Sequence, residues 1–368
     1  MNSVSKPYSA QSSGFARILV SAMREDLALF LIIGVYYLAI RIMFFLYDLP
    51  FPPASNFLKS GIFYICSIII IVGGGFILAL LRDRPPSPFA FVAIFLERYR
   101  IRERLALALP ALTSTALFLP IFSAAKSAIP YINEFSYDQT FINMDVAIHG
   151  DHAWKLIQPY IGYPIVTFLI AMCYHIWILL LYTGVPLVSG WIENKNLRQR
   201  FLLSYTLCWI IIGTLMATML SSAGPCFVEY FHGYKTFKPL MDYLYEVDSV
   251  YHLNALEVQQ ALLRWREHDE YGLGRGITAM PSMHVSIAFL FALLGFKLSR
   301  GLGFCLAAFL LVIMIGSVHL GYHYAVDGYA SIVLTAGIWI AVGAIGHLNG
   351  AASKAIEVGH AWSKNPNE

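Results

Sequence analysis

Residues 283–319 read MHVSIAFLFALLGFKL, then SRG, then LGFCLAAFLLVIMIGSVH: two apolar runs joined at Ser299-Arg300-Gly301. Charge is confined to the turn and its flank, at Lys297 and Arg300. A run of this kind is a helix whose solvent is lipid or other helices, and the short polar turn folds two of them into a hairpin. Six more apolar runs lie outside this pair: 27–47, 62–81, 105–123, 162–183 and 201–220 before it, and 327–347 after it. The expected fold is an all-α, polytopic transmembrane helix bundle of about eight spans.

Composition agrees. The 368 residues are 58% hydrophobic and only 13% charged, with a mean hydropathy of +0.63. A soluble domain is about 45–50% apolar and about 25% charged, so a water-facing surface cannot accommodate this chain. The net charge of +3 is small and dispersed, which argues against nucleic acid as a partner. Cys66, Cys173, Cys208 and Cys305 lie in apolar runs and Cys226 in a loop. None has metal-ligand or CxxC spacing, so all five read as packing residues. The first run is too long for a signal-peptide core and no small-residue cleavage site follows it.

Lys and Arg set the orientation. With the N-terminus inside, sixteen of them fall on the inner side and eight on the outer, five of those eight in one long loop. Short loops carry the orientation signal, and both termini are expected in the cytoplasm. The organisation is then a cytoplasmic segment 1–26, one membrane domain 27–347 with its informative motifs at 276–330, and a cytoplasmic tail 348–368. Two outer connections are longer than turns. Within 124–161, residues 141–150 read as an amphipathic segment lying along the interface. Within 221–282, Ala255–Glu270 reads as a polar helix, followed by Gly272-Leu273-Gly274-Arg275-Gly276. That run either cradles a phosphate with backbone N–H groups or hinges the helix after it, the hinge being the plainer reading.

Two stretches carry chemistry: Gly276-Ile-Thr-Ala-Met-Pro-Ser-Met-His284 and Gly316-Ser-Val-His-Leu-Gly-Tyr-His323-Tyr-Ala-Val-Asp327. Each sits at the mouth of a helix on the same side of the membrane, where ionisable groups are costly unless they pair or line a polar cavity. His323 and Asp327 are four residues apart and share a helix face. A carboxylate on one ring nitrogen fixes the tautomer and leaves the other as a nucleophile. His284 follows Pro281-Ser282 at a helix start, where free N–H groups favour a phosphate. It is placed to act as general acid, and Ser282 can donate to a phosphate oxygen. The bland readings are an interfacial polar anchor for each histidine and a helix cap for Ser282. A metal on His319 and His323 would need further histidine clusters that the sequence lacks, so no metal and no cofactor are expected.

Pro281-Ser282-Met283-His284 resembles the Pro-Ser-x-His motif of the type 2 phosphatidic acid phosphatase superfamily, and His323-Tyr-Ala-Val-Asp327 resembles its His-x-x-x-Asp motif. The wording around both is similar to the branch of inositol phosphorylceramide synthases and their bacterial relatives. The resemblance is detailed over 276–330 and loose before it. It implies that His323 attacks phosphorus to form a phosphohistidine, Asp327 orients it, and His284 protonates the leaving group. Water or an acceptor hydroxyl then discharges the intermediate.

Two of the superfamily's phosphate-binding features are missing. Gly316 and Ser317 stand where many members have Ser-Arg, and no Lys-x6-Arg-Pro is present. Arg275, Lys235 and Lys238 are the outer cations taken to substitute, Arg275 first because it adjoins the motif; a solvated loop charge is the rival for each. The expected activity is lipid phosphotransfer from a phospholipid or phospho-head-group donor to a lipid or polyol hydroxyl. Lipid phosphatase activity with water as acceptor is the close alternative, and a non-catalytic transporter or scaffold a distant one. The expected setting is a bacterial inner membrane with the site facing the periplasm.

Overall fold

Apolar residues without period build the spans, and short polar breaks delimit them. The computed structural model describes residues 9–364 apart from 269 and 271, and among these the regular structure is helical. The order begins α1 (Ser9–Glu25), α2 (Leu27–Leu46), α3 (Ala54–Asp83), α4 (Pro88–Arg98), α5 (Ile101–Ile132), α6 (Asp138–His149), α7 (Ala153–Ile161) and α8 (Pro164–Trp191). Then come α9 (Lys195–Leu207), a π-helix over Cys208–Met216, and α10 (Ala217–Met219), together one continuous span. The chain continues with α11 (Val228–His232), α12 (Lys238–Asp248), α13 (Asn254–Glu267), α14 (Met283–Leu298), α15 (Arg300–His319) and α16 (Ala325–Lys364).

Among the described residues seven helices are long and apolar enough to cross a membrane: α2, α3, α5, α8, the α9–α10 unit, α15 and the first part of α16. The eighth expected span, 283–298, is α14, an apolar helix of 16 residues. It falls short of the roughly 20 residues a crossing requires and is instead buried against α15, α16 and α8. Its hairpin with α15 turns at Ser299, whose hydroxyl accepts from the Leu302 N–H at 3.2 Å.

α5 forms the middle of the bundle and packs against α1, α2, α3 and α8. It continues to Ile132 through Pro110, Pro120 and Pro130, well beyond the expected end at 123. Inside protein, neighbouring helices hold a helix that proline would otherwise break. The connection expected over 124–161 is therefore the end of α5 followed by α6 and α7. The segment 141–149 belongs to α6, an amphipathic helix that tucks Asp138, Phe141, Ile142 and Asp145 inward and leaves Met144 and Ile148 exposed. The N-terminal segment forms α1 from Ser9 onward, while residues 1–8 of it, Lys6 included, and residues 365–368 of the tail lie outside the described residues.

The end of the bundle opposite the motifs is tied by one buried ion pair. Arg198 of α9, 1% exposed, donates to both oxygens of Asp26 at 2.9 and 2.8 Å and to the Ser189 and Leu107 carbonyls at 3.0 and 3.2 Å. These bonds lock α2, α5, α8 and α9 in register, leaving the other end to be shaped by the loop layer of α6, α7 and α11–α13.

Candidate active site

The second motif is delivered by a turn. After α15 the Tyr322 and His323 N–H groups both donate to Ser317 O at 3.0 Å, and α16 begins at Ala325. The first N–H groups of a helix have no partner within it. Here Ala325 and Val326 donate to Asp145 Oδ2 and Oδ1, each at 3.0 Å, so a carboxylate from α6 caps the helix that carries Asp327. Asp327 Oδ2 accepts from the Tyr324 N–H at 3.0 Å and from His323 Nδ1 at 3.2 Å. A carboxylate only accepts, so Nδ1 carries the hydrogen and Nε2 keeps the lone pair. Asp327 Oδ1 is buried with no hydrogen-bond partner.

The first motif meets the second through main chain. The Ser282 N–H donates to Asp327 O at 3.3 Å, and the Ser331 hydroxyl donates to the same oxygen at 2.7 Å. Ser282 caps α14, its Oγ accepting from Val285 N–H at 3.5 Å; the cap uses a lone pair and leaves the O–H to donate. His284 lies in the first turn of α14. Tyr174 stacks on its ring at 4.5 Å between centroids and Trp177 covers it at 4.2 Å. Trp177 Nε1 also donates to His284 O at 3.1 Å. The His284 and His323 ring centres are 6.2 Å apart and inclined at 63°.

Segment 221–226 stitches the two motif loops together. Ala279 and Met280 N–H groups donate to Ser222 O and Oγ at 2.9 and 3.1 Å, and Cys226 N–H donates to Gly321 O at 2.8 Å. Gly224, at φ +97°, passes so close to Tyr322 that a Cβ there would stand 2.6 Å from its carbonyl oxygen. Asp138 of α6 secures this segment, accepting from the Ala223 and Gly224 N–H groups at 2.8 and 2.9 Å, from Tyr324 OH at 2.8 Å and from His232 Nε2 at 3.1 Å. Burial pushes the Tyr324 phenol well above its usual range, and the Asp138 carboxylate adds to that, so the hydroxyl stays a donor.

The structure thus brings Ser282, His284, His323 and Asp327 to one place. It does not bring Arg275, Lys235 or Lys238 to the histidines. Arg275 is paired with Glu270 and lies over the Trp265 ring at 4.7 Å. Lys238 pairs with Asp242 at 2.8 Å, and Lys235 is exposed at the turn before α12. The glycine run is fastened to α5: Gly274 N–H donates to Ser123 Oγ at 3.3 Å. Gly276, at φ +101°, leaves only 2.9 Å between a Cβ and the Lys126 carbonyl carbon. This contact brings in Lys126, a half-buried cation of α5 within Coulombic range of His284, as is His175 of α8. His319 turns away from His323, its Nε2 bonded to Thr167 Oγ1 at 2.8 Å.

Sequence reasoning missed Asp138, Asp145 and Lys126. The two aspartates are seven residues apart on the same face as buried Phe141 and Ile142; carboxylates on the apolar side of an amphipathic helix were the available signal. Lys126 was assigned to a loop because α5 was ended early.

Residues 139–341, more than half of the chain, match the PAP2 superfamily. No curated protein and no solved structure matches the chain.

Proposed function

Because the chain belongs to the PAP2 superfamily, we propose that it is an integral membrane lipid phosphotransferase working through a phosphohistidine on His323. The observation that carries this reading is the His323 Nδ1 bond to Asp327 at 3.2 Å, which leaves Nε2 as the nucleophile. In the first half-reaction Nε2 forms a bond to phosphorus, the bond from phosphorus to the leaving oxygen breaks, and His284 gives that oxygen its proton. Asp327 holds the imidazole tautomer and offsets the positive charge that grows on the ring. In the second half an acceptor hydroxyl loses its proton to His284 as its oxygen bonds phosphorus and the bond to Nε2 breaks. The 6.2 Å between ring centres is a gap that a phosphoryl group can bridge.

For the phosphate oxygens we assign the Ser282 hydroxyl, the free N–H groups at the start of α14 and the Lys126 ammonium. Lys126 is assigned this role ahead of Arg275, Lys235 and Lys238 because α5 brings it against Gly276 at the start of the first motif, while Arg275 and Lys238 are paired elsewhere. The distribution of Lys and Arg supports a site facing away from the cytoplasm, in a bacterial inner membrane the periplasm.

The test is to incubate purified protein with a panel of phospholipids, with and without ceramide or polyol acceptors. Acceptor-dependent lipid product supports transfer; free phosphate regardless of acceptor makes it a phosphatase on the same residues. His323→Ala is expected to abolish both products while remaining folded in detergent, and full turnover in that variant would end the proposal.

A further inference from the structure

The two histidines of the site are held by different means. His323 is fixed through Nδ1 by Asp327 at 3.2 Å. Among the described residues nothing hydrogen-bonds to the His284 ring and no carboxylate pairs with it. Its contacts are aromatic, and they come from α8. Tyr174 stacks on it at 4.5 Å and 23°, and Trp177 covers it at 4.2 Å and 39°; three residues apart, the two are neighbours on the helix surface.

Both are themselves anchored. Trp177 donates from Nε1 to His284 O at 3.1 Å. Tyr174 also stacks on Tyr322 at 5.3 Å and 5°, and Tyr322, the residue before His323, donates its hydroxyl to Ala255 O at 2.9 Å. The column Tyr322, Tyr174, His284, Trp177 therefore ties the second motif to the ring of the first by way of α8. Gly316 makes room for it: a Cβ there would lie 3.2 Å from Tyr174 Cδ2 and 3.0 Å from Ile170 Cγ2. The glycine that stands where many members of the superfamily have serine is the one that admits Tyr174.

As an acid, His284 carries a proton on both ring nitrogens and a positive charge. The other ionisable groups facing it, His323, Lys126 and His175, are bases or cations, and Asp327 is bonded to His323 instead. An aromatic face within about 6 Å attracts a cation, and Tyr174 and Trp177 are the groups that offer one.

Resting on the phosphohistidine reading, we infer that Tyr174 and Trp177 are positioning residues for the general acid, holding the His284 ring toward the leaving oxygen and favouring its charged form. They act through His284, so their weight depends on how much the leaving oxygen needs a proton. A lipid alkoxide leaves as it takes the His284 proton. A p-nitrophenolate carries its negative charge away unaided.

The experiment uses the full-length protein in detergent and donors that differ in leaving group, each with radiolabelled phosphorus. Phosphatidic acid is compared with p-nitrophenyl phosphate, and phosphatidylinositol with p-nitrophenyl phosphoinositol. The quantity read is the ratio of His323 labelling rates, lipid donor over nitrophenyl donor. In Tyr174→Leu this ratio is expected to fall about 10- to 100-fold below that of the wild type, because the lipid rate drops and the nitrophenyl rate does not follow it. Tyr174→Phe, which keeps the ring face, is expected to restore the wild-type ratio. A role in folding, or in holding His323 or the phosphate, slows both donors alike; an unchanged ratio in Tyr174→Leu therefore overturns the inference. A ratio that falls equally in Tyr174→Phe and Tyr174→Leu overturns it too. Should Tyr174→Leu not fold, Trp177→Leu and its conservative counterpart Trp177→Phe decide by the same ratio. Absence of label on His323 from every donor in the wild type is a failure of the phosphohistidine reading instead, and is seen before any variant is compared.

Discussion

Asp145→Ala strips the start of α16 of both its caps while leaving every residue of the two motifs in the chain. The Ala325 and Val326 N–H groups, each now bonded at 3.0 Å to a carboxylate that is 4% exposed, are left without a protein partner. An orphaned buried N–H costs about 1–3 kcal/mol. The lost negative charge at the helix start costs up to about 2 kcal/mol more in a buried setting, giving about 2–8 kcal/mol in all for the two N–H groups and the charge. Asp145→Asn keeps one acceptor and is expected at about half that cost. Asp327 follows the capped pair directly, so the first turn cannot loosen without moving the carboxylate that holds His323. A displacement of about 1 Å at a reacting group is worth roughly 100-fold in rate. Thermal unfolding in detergent and the rate of His323 phosphorylation should therefore both rank wild type, Asn, Ala. If Asp145→Ala unfolds at the wild-type temperature and is labelled at the wild-type rate, α6 does not position the site and the reasoning fails.

Three further outcomes are expected. Lys126→Met should slow phosphohistidine formation by about 100- to 1,000-fold, as for loss of a group stabilising developing charge, with little change in unfolding temperature; equal rates would return the phosphate role to the loop cations. Asp26→Ala leaves the buried Arg198 only the more distant Glu25 carboxylate, 3.9 Å from Nη1, and should destabilise by up to about 3–5 kcal/mol, read as an earlier thermal transition, while turnover per folded molecule holds because the pair lies at the far end of the bundle. Gly276→Ala forces a Cβ to within 2.9 Å of the Lys126 main chain at φ +101°. It should lower the transition temperature and slow labelling together, and unfolding alone without an effect on labelling would dissociate the glycine run from the site.

The sequence made the spans and the two motifs legible because both are local signals. All eight apolar runs became helices near the expected positions, seven of them long enough to cross a membrane, and Ser282, His284, His323 and Asp327 converge as their spacing at helix mouths implied. What holds them did not show. Asp138 and Asp145 act on residues such as Tyr324 and Val326, 186 and 181 positions away, and no window of sequence spans that distance. Lys126 lay in the expected connection 124–161 because the apolar run ends at 123, whereas burial within the bundle carries α5 on to Ile132. Arg275 was favoured for adjacency to the motif, but Glu270 and Trp265 hold its guanidinium.

The brevity of α14 bears on where in the bilayer the reaction takes place. Its turn end carries Lys297 and Arg300, both exposed, and charges of that kind settle at the head-group boundary. Sixteen residues reach only about 24 Å, against a hydrocarbon slab of about 30 Å. On the proposed mechanism, a helix of this length anchored at its turn end would hold His284 several ångströms below the opposite boundary, and a substrate phosphate would have to sink out of the head-group plane to reach it. Bilayer thickness then becomes a variable of the reaction: short-chain lipids bring the boundary down to the histidines, and long-chain lipids bury them deeper.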